Sequence, residues 1–190
     1  MFFLGLILFS LTACTTPISY PLSHKGRKLD KQTQKTIRIA LFEEKMRDNS
    51  PNNIRVYPSG MISSGVSRSL ADDIANSGIF GAVYPYDMKG EPVQYELRGY
   101  IRDFSAHVKP YKTKSALGKT GIVTNVILEH LHIVNLTNDR IVWHLNELHV
   151  SKQAPATLSP TDSDSLRSLL SSSLRSAATT LINDLSRHQF

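Results

Sequence analysis

Two places in the sequence hold side chains able to do chemistry. One is Cys14, the only cysteine, standing directly after Leu11-Thr12-Ala13. Alone it can neither close an internal disulfide nor supply the several closely spaced thiolates of a Cys-based zinc site. The other is a group of imidazoles, His130, His132, His144 and His149, within a pair of neighbouring apolar segments. Histidine is the commonest metal ligand and titrates near neutral pH. A hairpin pairing Leu136 with Ile141 sets His130 opposite Glu147 and His132 opposite Leu145, with His130 and His132 on one face and His144 on the other. A register change of one residue would bring three histidines together and make a metal site conceivable. In the expected register they read as solvated imidazoles, and neither a metal ligand nor a cofactor is assigned.

Motifs for catalysis fail on spacing. Gly118-Lys119-Thr120 ends like a phosphate-binding loop, but Thr113 stands where that loop needs its first glycine, and the segment lies between strands instead of opening a helix. Gly60-Met61-Ile62-Ser63-Ser64-Gly65 misses the G-x-S-x-G nucleophile elbow by one residue. His-Glu-x-x-His does not occur. The expectation is a protein that is not an enzyme.

Cys14 has a context that gives its thiol a different use. Met1 to Leu11 carry no ionisable side chain and are nearly all apolar, too short to span a bilayer but of the proportions of a cleavable secretory signal. Leu11-Thr12-Ala13-Cys14 resembles the lipobox of bacterial lipoproteins, in which the cysteine becomes the acylated first residue of the mature chain. That resemblance implies a cleaved signal over residues 1–13 and attachment to the membrane through acyl chains on Cys14. Thr15 and Thr16 follow, and the absence of Asp there implies sorting to the outer membrane, periplasmic side. Each buried CH₂ contributes about 0.8 kcal/mol, so two or three chains hold a protein almost permanently.

With 190 residues, a net charge of +6 and 41% apolar residues, the chain is long enough for one domain and excludes wholesale disorder and a polytopic membrane protein. Residues 14–35 read as a basic tether: Pro17, Pro21 and Gly26 break any periodicity, and Lys25, Arg27, Lys28, Lys31 and Lys35 are opposed only by Asp30. The stretch is either a solvated spacer or an attraction to anionic headgroups.

Residues 36–190 form the domain. Ile37, Ile39 and Leu41 alternate as a strand does, and a short extended piece follows at Ile54 to Tyr57. Ile62, Val66, Leu70 and Ile74 recur every four residues, predicting a helix over Ser59–Ser77 that stops at Gly78. Strands are predicted at Phe80–Tyr84, Tyr95–Phe104, Ile122–Leu136 and Ile141–Val150, the last two joined by a turn at Thr137–Arg140. Both faces of that hairpin read as apolar: Val123, Ile127, Leu131, Ile133, Val142, Leu148 and Val150 on one, and Val126, Leu128, Val134, Ile141, Trp143 and Leu145 beside the histidines. Something must therefore cover the second face: a loop, the tether, a partner or lipid. Ser105–Thr120 reads as a basic loop, with no acid between Asp103 and Glu129. Its Lys109, Lys112, Lys114 and Lys119 are either solvated or candidate contacts for headgroups or an acidic partner. Leu166, Leu169, Leu170, Leu174, Ala177, Ala178, Leu181, Ile182 and Leu185 mark one face of a terminal helix, with Thr161, Asp162, Ser163 and Asp164 at its start. The expected fold class is α+β, a two-layer sandwich of a mostly antiparallel four- to five-stranded sheet with both helices on one face.

LADDIANSGIFGAV from Leu70 to Val83, Tyr95-Glu96-Leu97-Arg98-Gly99-Tyr100-Ile101-Arg102-Asp103-Phe104, and Asp139-Arg140-Ile141-Val142-Trp143 together resemble the auxiliary lipoproteins of ABC-type lipid transport systems. The likeness runs from about Ile54 to His188. It implies a sandwich like that of the TolB amino-terminal domain and a binding subunit of an envelope machine with ABC-type or MCE-type partners. It implies no nucleic-acid partner and no catalytic residue. A structural subunit of a secretion, flagellar or pilus complex is the rival binding reading, and a metal-dependent hydrolase built on the histidines is the reading of another class.

Overall fold

In the computed structural model the described residues are 35–46, 53–54, 57, 60–110, 120–154, 163–188 and 190. Strand β1 (Thr36–Ile39) sends Ile37 and Ile39 into the core, both fully buried, and leaves Arg38 on the other side. It is followed by the two-residue strands β2 (Glu43–Glu44) and β3 (Asn53–Ile54), helix α1 (Met61–Ser77) and strand β4 (Ala82–Pro85). Three long strands, β5 (Tyr95–Pro110), β6 (Thr120–Asn135) and β7 (Arg140–Ala154), precede helix α2 (Ser163–Leu185). The sheet runs β4-β1-β5-β6-β7, with β2 and β3 added beside β5. The five-stranded path and the two helices give the α+β sandwich that the periodicities predict. Strand β1 is parallel to both β4 and β5, and α1 supplies the crossover that the β1–β4 pairing needs.

Both helices pack on one face. Ile62, Val66, Leu70 and Ile74 of α1 are buried, as are Leu166, Leu170, Leu174, Ala177, Ala178, Leu181 and Leu185 of α2, while Leu169 and Ile182 are half-buried at its margin. Gly78 ends α1 with φ 71°, a left-handed cap suited to glycine. The helix starts at Met61; Ser59, the predicted start, lies outside the described residues, as do Thr161 and Asp162 before α2. Ser173 is buried on α2, its Oγ 2.7 Å from Oγ1 of Thr124 on β6, so the two hydroxyls share one hydrogen bond inside the interface, and each has a backbone carbonyl, of Leu169 or Lys152, within reach for the remaining proton.

The three long strands run further than predicted, whereas β4 begins at Ala82 and not at Phe80. Ser105–Pro110 extends β5 where a loop is expected, because Ala106, fully buried, carries the inward alternation past Phe104. The turn lies one residue earlier than expected, with Asn135 paired to Arg140, and Asp139 takes the positive φ of 53°. An irregularity between Ile133 and Val134 then places Trp143 opposite Ile133 and His144 opposite His132. Across β5, Gly99 faces both His130 and Leu131 of β6, a bulge in which His130 has φ 51°. The bulge reverses the phase of the strand. Val126 and Leu128 on one side of it, and Leu131 and Ile133 on the other, all turn to the core.

Candidate interaction face

The sheet face away from the helices carries the histidines singled out for chemistry, and the phase reversal decides which side chains accompany them. Val126, Leu128 and Trp143, expected beside the histidines, are buried on the helix side, and Leu145 is half-buried. Leu131, Ile133, Leu148 and Val150 face the core with them. The expected second apolar face is therefore not formed. Its apolar remnant is Val123 and Val134, both buried, the half-buried Ile127, and Ile141 and Val142, which are 61% and 42% exposed near the turn.

Much of the rest of that face carries charges that are paired. Glu96 lies between Arg38 and Arg98, 3.8 Å from the first and accepting from Nε of the second at 2.6 Å. Arg102 and Glu129 approach to 3.6 Å. Nζ of Lys45 sits 3.4 Å above the ring centre of Tyr100, whose other neighbour is the His130 ring, edge-on at 5.8 Å. Spacing two apart on β5 already places Glu96 and Arg98 on one face, but the other contacts join β1, the end of β2, β5 and β6, and sequence spacing gives no sign of them. On the middle of α1, Arg68 donates to Asp87, and that bond holds its guanidinium above the usual range.

The histidines are not gathered as a trio. The one-residue register change that could unite them does occur, and it sets His132 directly opposite His144 instead of Leu145. His130 takes no part because it is the bulge residue and its ring meets Tyr100 edge-on, and His149 lies further along β7, opposite Ile127. Among the described residues no three His, Cys, Asp or Glu side chains lie together so as to hold a metal ion. Cys14, Lys112, Lys114 and Lys119 fall outside the described residues. Lys109 is a residue of β5, paired with Gly121, and not part of a loop. Among the described residues no helix is long and apolar enough to cross a membrane.

No protein-family pattern matches the chain, and no curated protein matches it. Solved structures do. A neuraminyllactose-binding hemagglutinin homologue from Helicobacter pylori superposes with a TM-score of 0.53 at 14% identity, over 88% of this chain and 90% of the other. A Xanthomonas campestris protein of the DUF330 family gives 0.51 at 15% identity, over 80% and 83%. A minor lipoprotein from Acinetobacter baumannii aligns less closely, with a TM-score of 0.45 at 9% identity over 83% and 94%. The first two share the fold of this chain across most of both lengths. At such identities the likeness is one of architecture, and fold alone does not carry function.

Proposed function

We propose that this chain is a bacterial lipoprotein, anchored through acylated Cys14 to the outer membrane on its periplasmic side, whose domain acts by binding and not by catalysis. The carrying observation is Leu11-Thr12-Ala13-Cys14 at the end of an uncharged apolar run, with no second cysteine in the chain. Support comes also from the sheet: one face is covered by both helices, and the other presents ion pairs, imidazoles and the exposed Ile141 and Val142 to a partner. The finer reading is an accessory subunit of an ABC-type envelope lipid transport system, resting on the segments from Leu70 to Val83, Tyr95 to Phe104 and Asp139 to Trp143.

Mass spectrometry of natively produced protein tests the anchor. The expected amino-terminal peptide begins at a Cys14 carrying a thioether-linked diacylglycerol, and Cys14→Ser leaves the membrane fraction. An intact Met1, or a serine variant that fractionates like the parent, overturns it. Affinity purification from membranes tests the role: an ABC permease or an MCE-type partner is expected, whereas a secretin or a motor ring would move the protein to the structural-subunit reading.

A further inference from the structure

His132 on β6 and His144 on β7 are directly opposite one another in an antiparallel ladder. Such pairs have Cβ atoms about 4.5–5.5 Å apart, close enough for two imidazoles to converge on one ion at Zn–N distances of about 2.0–2.1 Å. Their neighbours settle the direction in which they point. Ile133 and Trp143 are buried toward α2, so His132 and His144 lie on the opposite, open face, the first half-buried and the second exposed.

The backbone fixes the tautomer of His132. Its Nδ1 is 2.7 Å from the carbonyl oxygen of His130. A carbonyl oxygen only accepts, so Nδ1 carries the proton, and in the neutral ring the lone pair is on Nε2. Metal-binding imidazoles are commonly held in this way, one nitrogen donating to a carbonyl while the other faces the ion. A regular strand does not present the carbonyl of residue i−2 to the side chain of residue i. The left-handed backbone of His130 brings that carbonyl within reach. Arg98, the partner of His132 on β5, is the nearest cation by register, and its Nε is bonded to Glu96.

We propose that His132 and His144 form a two-imidazole site for a borderline divalent cation of the Zn²⁺ or Ni²⁺ class. Two protein ligands leave positions open to water or to a donor group on a bound partner.

Calorimetric titration of the full-length chain in detergent with zinc chloride is the test. One equivalent is expected to bind, and His132→Ala and His144→Ala are each expected to weaken it about tenfold or more, the loss known even for residues that only support a metal ligand. His149→Ala, exposed further along β7, is expected to bind as the parent does. In ¹⁵N long-range spectra of the unmutated protein, zinc is expected to shift Nε2 of His132 while its Nδ1 stays protonated, a readout that needs no variant to fold. Absence of uptake, affinity unchanged in both alanine variants, an equal loss in His149→Ala, or an unmoved His132 Nε2 would each overturn the site.

Discussion

The backbone N–H and the hydroxyl of Ser63 both donate to one carboxylate oxygen of Glu44, each at 3.0 Å. Ser63 is in the first turn of α1, whose cap position is Gly60, with φ 83° and no side chain to accept from the helix. The first-turn N–H groups have no intrahelical partner. Glu44, from β2, therefore supplies the acceptor and the negative charge that the local sequence lacks, and in doing so ties the helix to the sheet.

Glu44→Ala is expected to lower unfolding stability by about 1 kcal/mol, the usual cost of losing a cap together with its favourable charge at the positive helix end. Glu44→Gln keeps an acceptor and is expected to recover part of the loss. Urea denaturation of the two variants checks the order; equal stability of Glu44→Ala and the parent contradicts it.

Gly99 has room for hydrogen only. A Cβ there would lie 2.6 Å from Cδ2 of Leu131 and 2.8 Å from Cε1 of Phe42, both fully buried residues. Gly99→Ala is expected to cost about 1–3 kcal/mol through overpacking. Adding Leu131→Val, which removes the nearer methyl, should make the pair less harmful than the sum of the single changes. A thermal-denaturation double-mutant cycle measures the coupling, and strict additivity would show that the clash is relieved elsewhere.

At His130 the usual preference between glycine and alanine in a strand should invert. Glycine ordinarily weakens a strand interior by about 0.5–1 kcal/mol relative to alanine, but φ here is 51°, a region that costs an L-residue roughly 1–2 kcal/mol. His130→Gly is expected to be more stable than His130→Ala. Chemical denaturation of the pair decides it, and the reverse order would mean that the bulge straightens in the variants.

Trp143 is the only tryptophan, and its Nε1 donates to Oδ2 of Asp184 at 2.9 Å, joining β7 to the last turns of α2. Asp184→Ala leaves a mostly buried indole N–H without this acceptor and is expected to cost about 1–3 kcal/mol. The same change should shift the tryptophan emission of the folded protein. Unchanged emission together with unchanged stability would show that water replaces the carboxylate at no cost.

The helices were the most legible part of the sequence. Ile62, Val66, Leu70 and Ile74, and the leucines and alanines of α2, are buried as their spacing requires, since a helix repeats its faces over a fixed number of residues whatever lies opposite. Strand existence was readable for the same reason, but strand phase was not. A period-two pattern survives only until a bulge, and the bulge at His130 forms where β6 meets Gly99 of another strand.

By itself, then, the sequence determined the amphipathic helices, the presence of long strands, the α+β class, and the placing of its one cysteine at the end of an apolar run. The tertiary structure decided which histidine faces which, that β1 runs parallel to its neighbours, that Glu44 caps a helix distant in sequence, and that Val126, Leu128 and Trp143 belong to the core. Periodicity is a property of one segment and is written locally. Register, capping across elements and the pairing of charges arise where two segments meet, and they are fixed only when packing of the shared core selects one alignment among several that the individual strands permit.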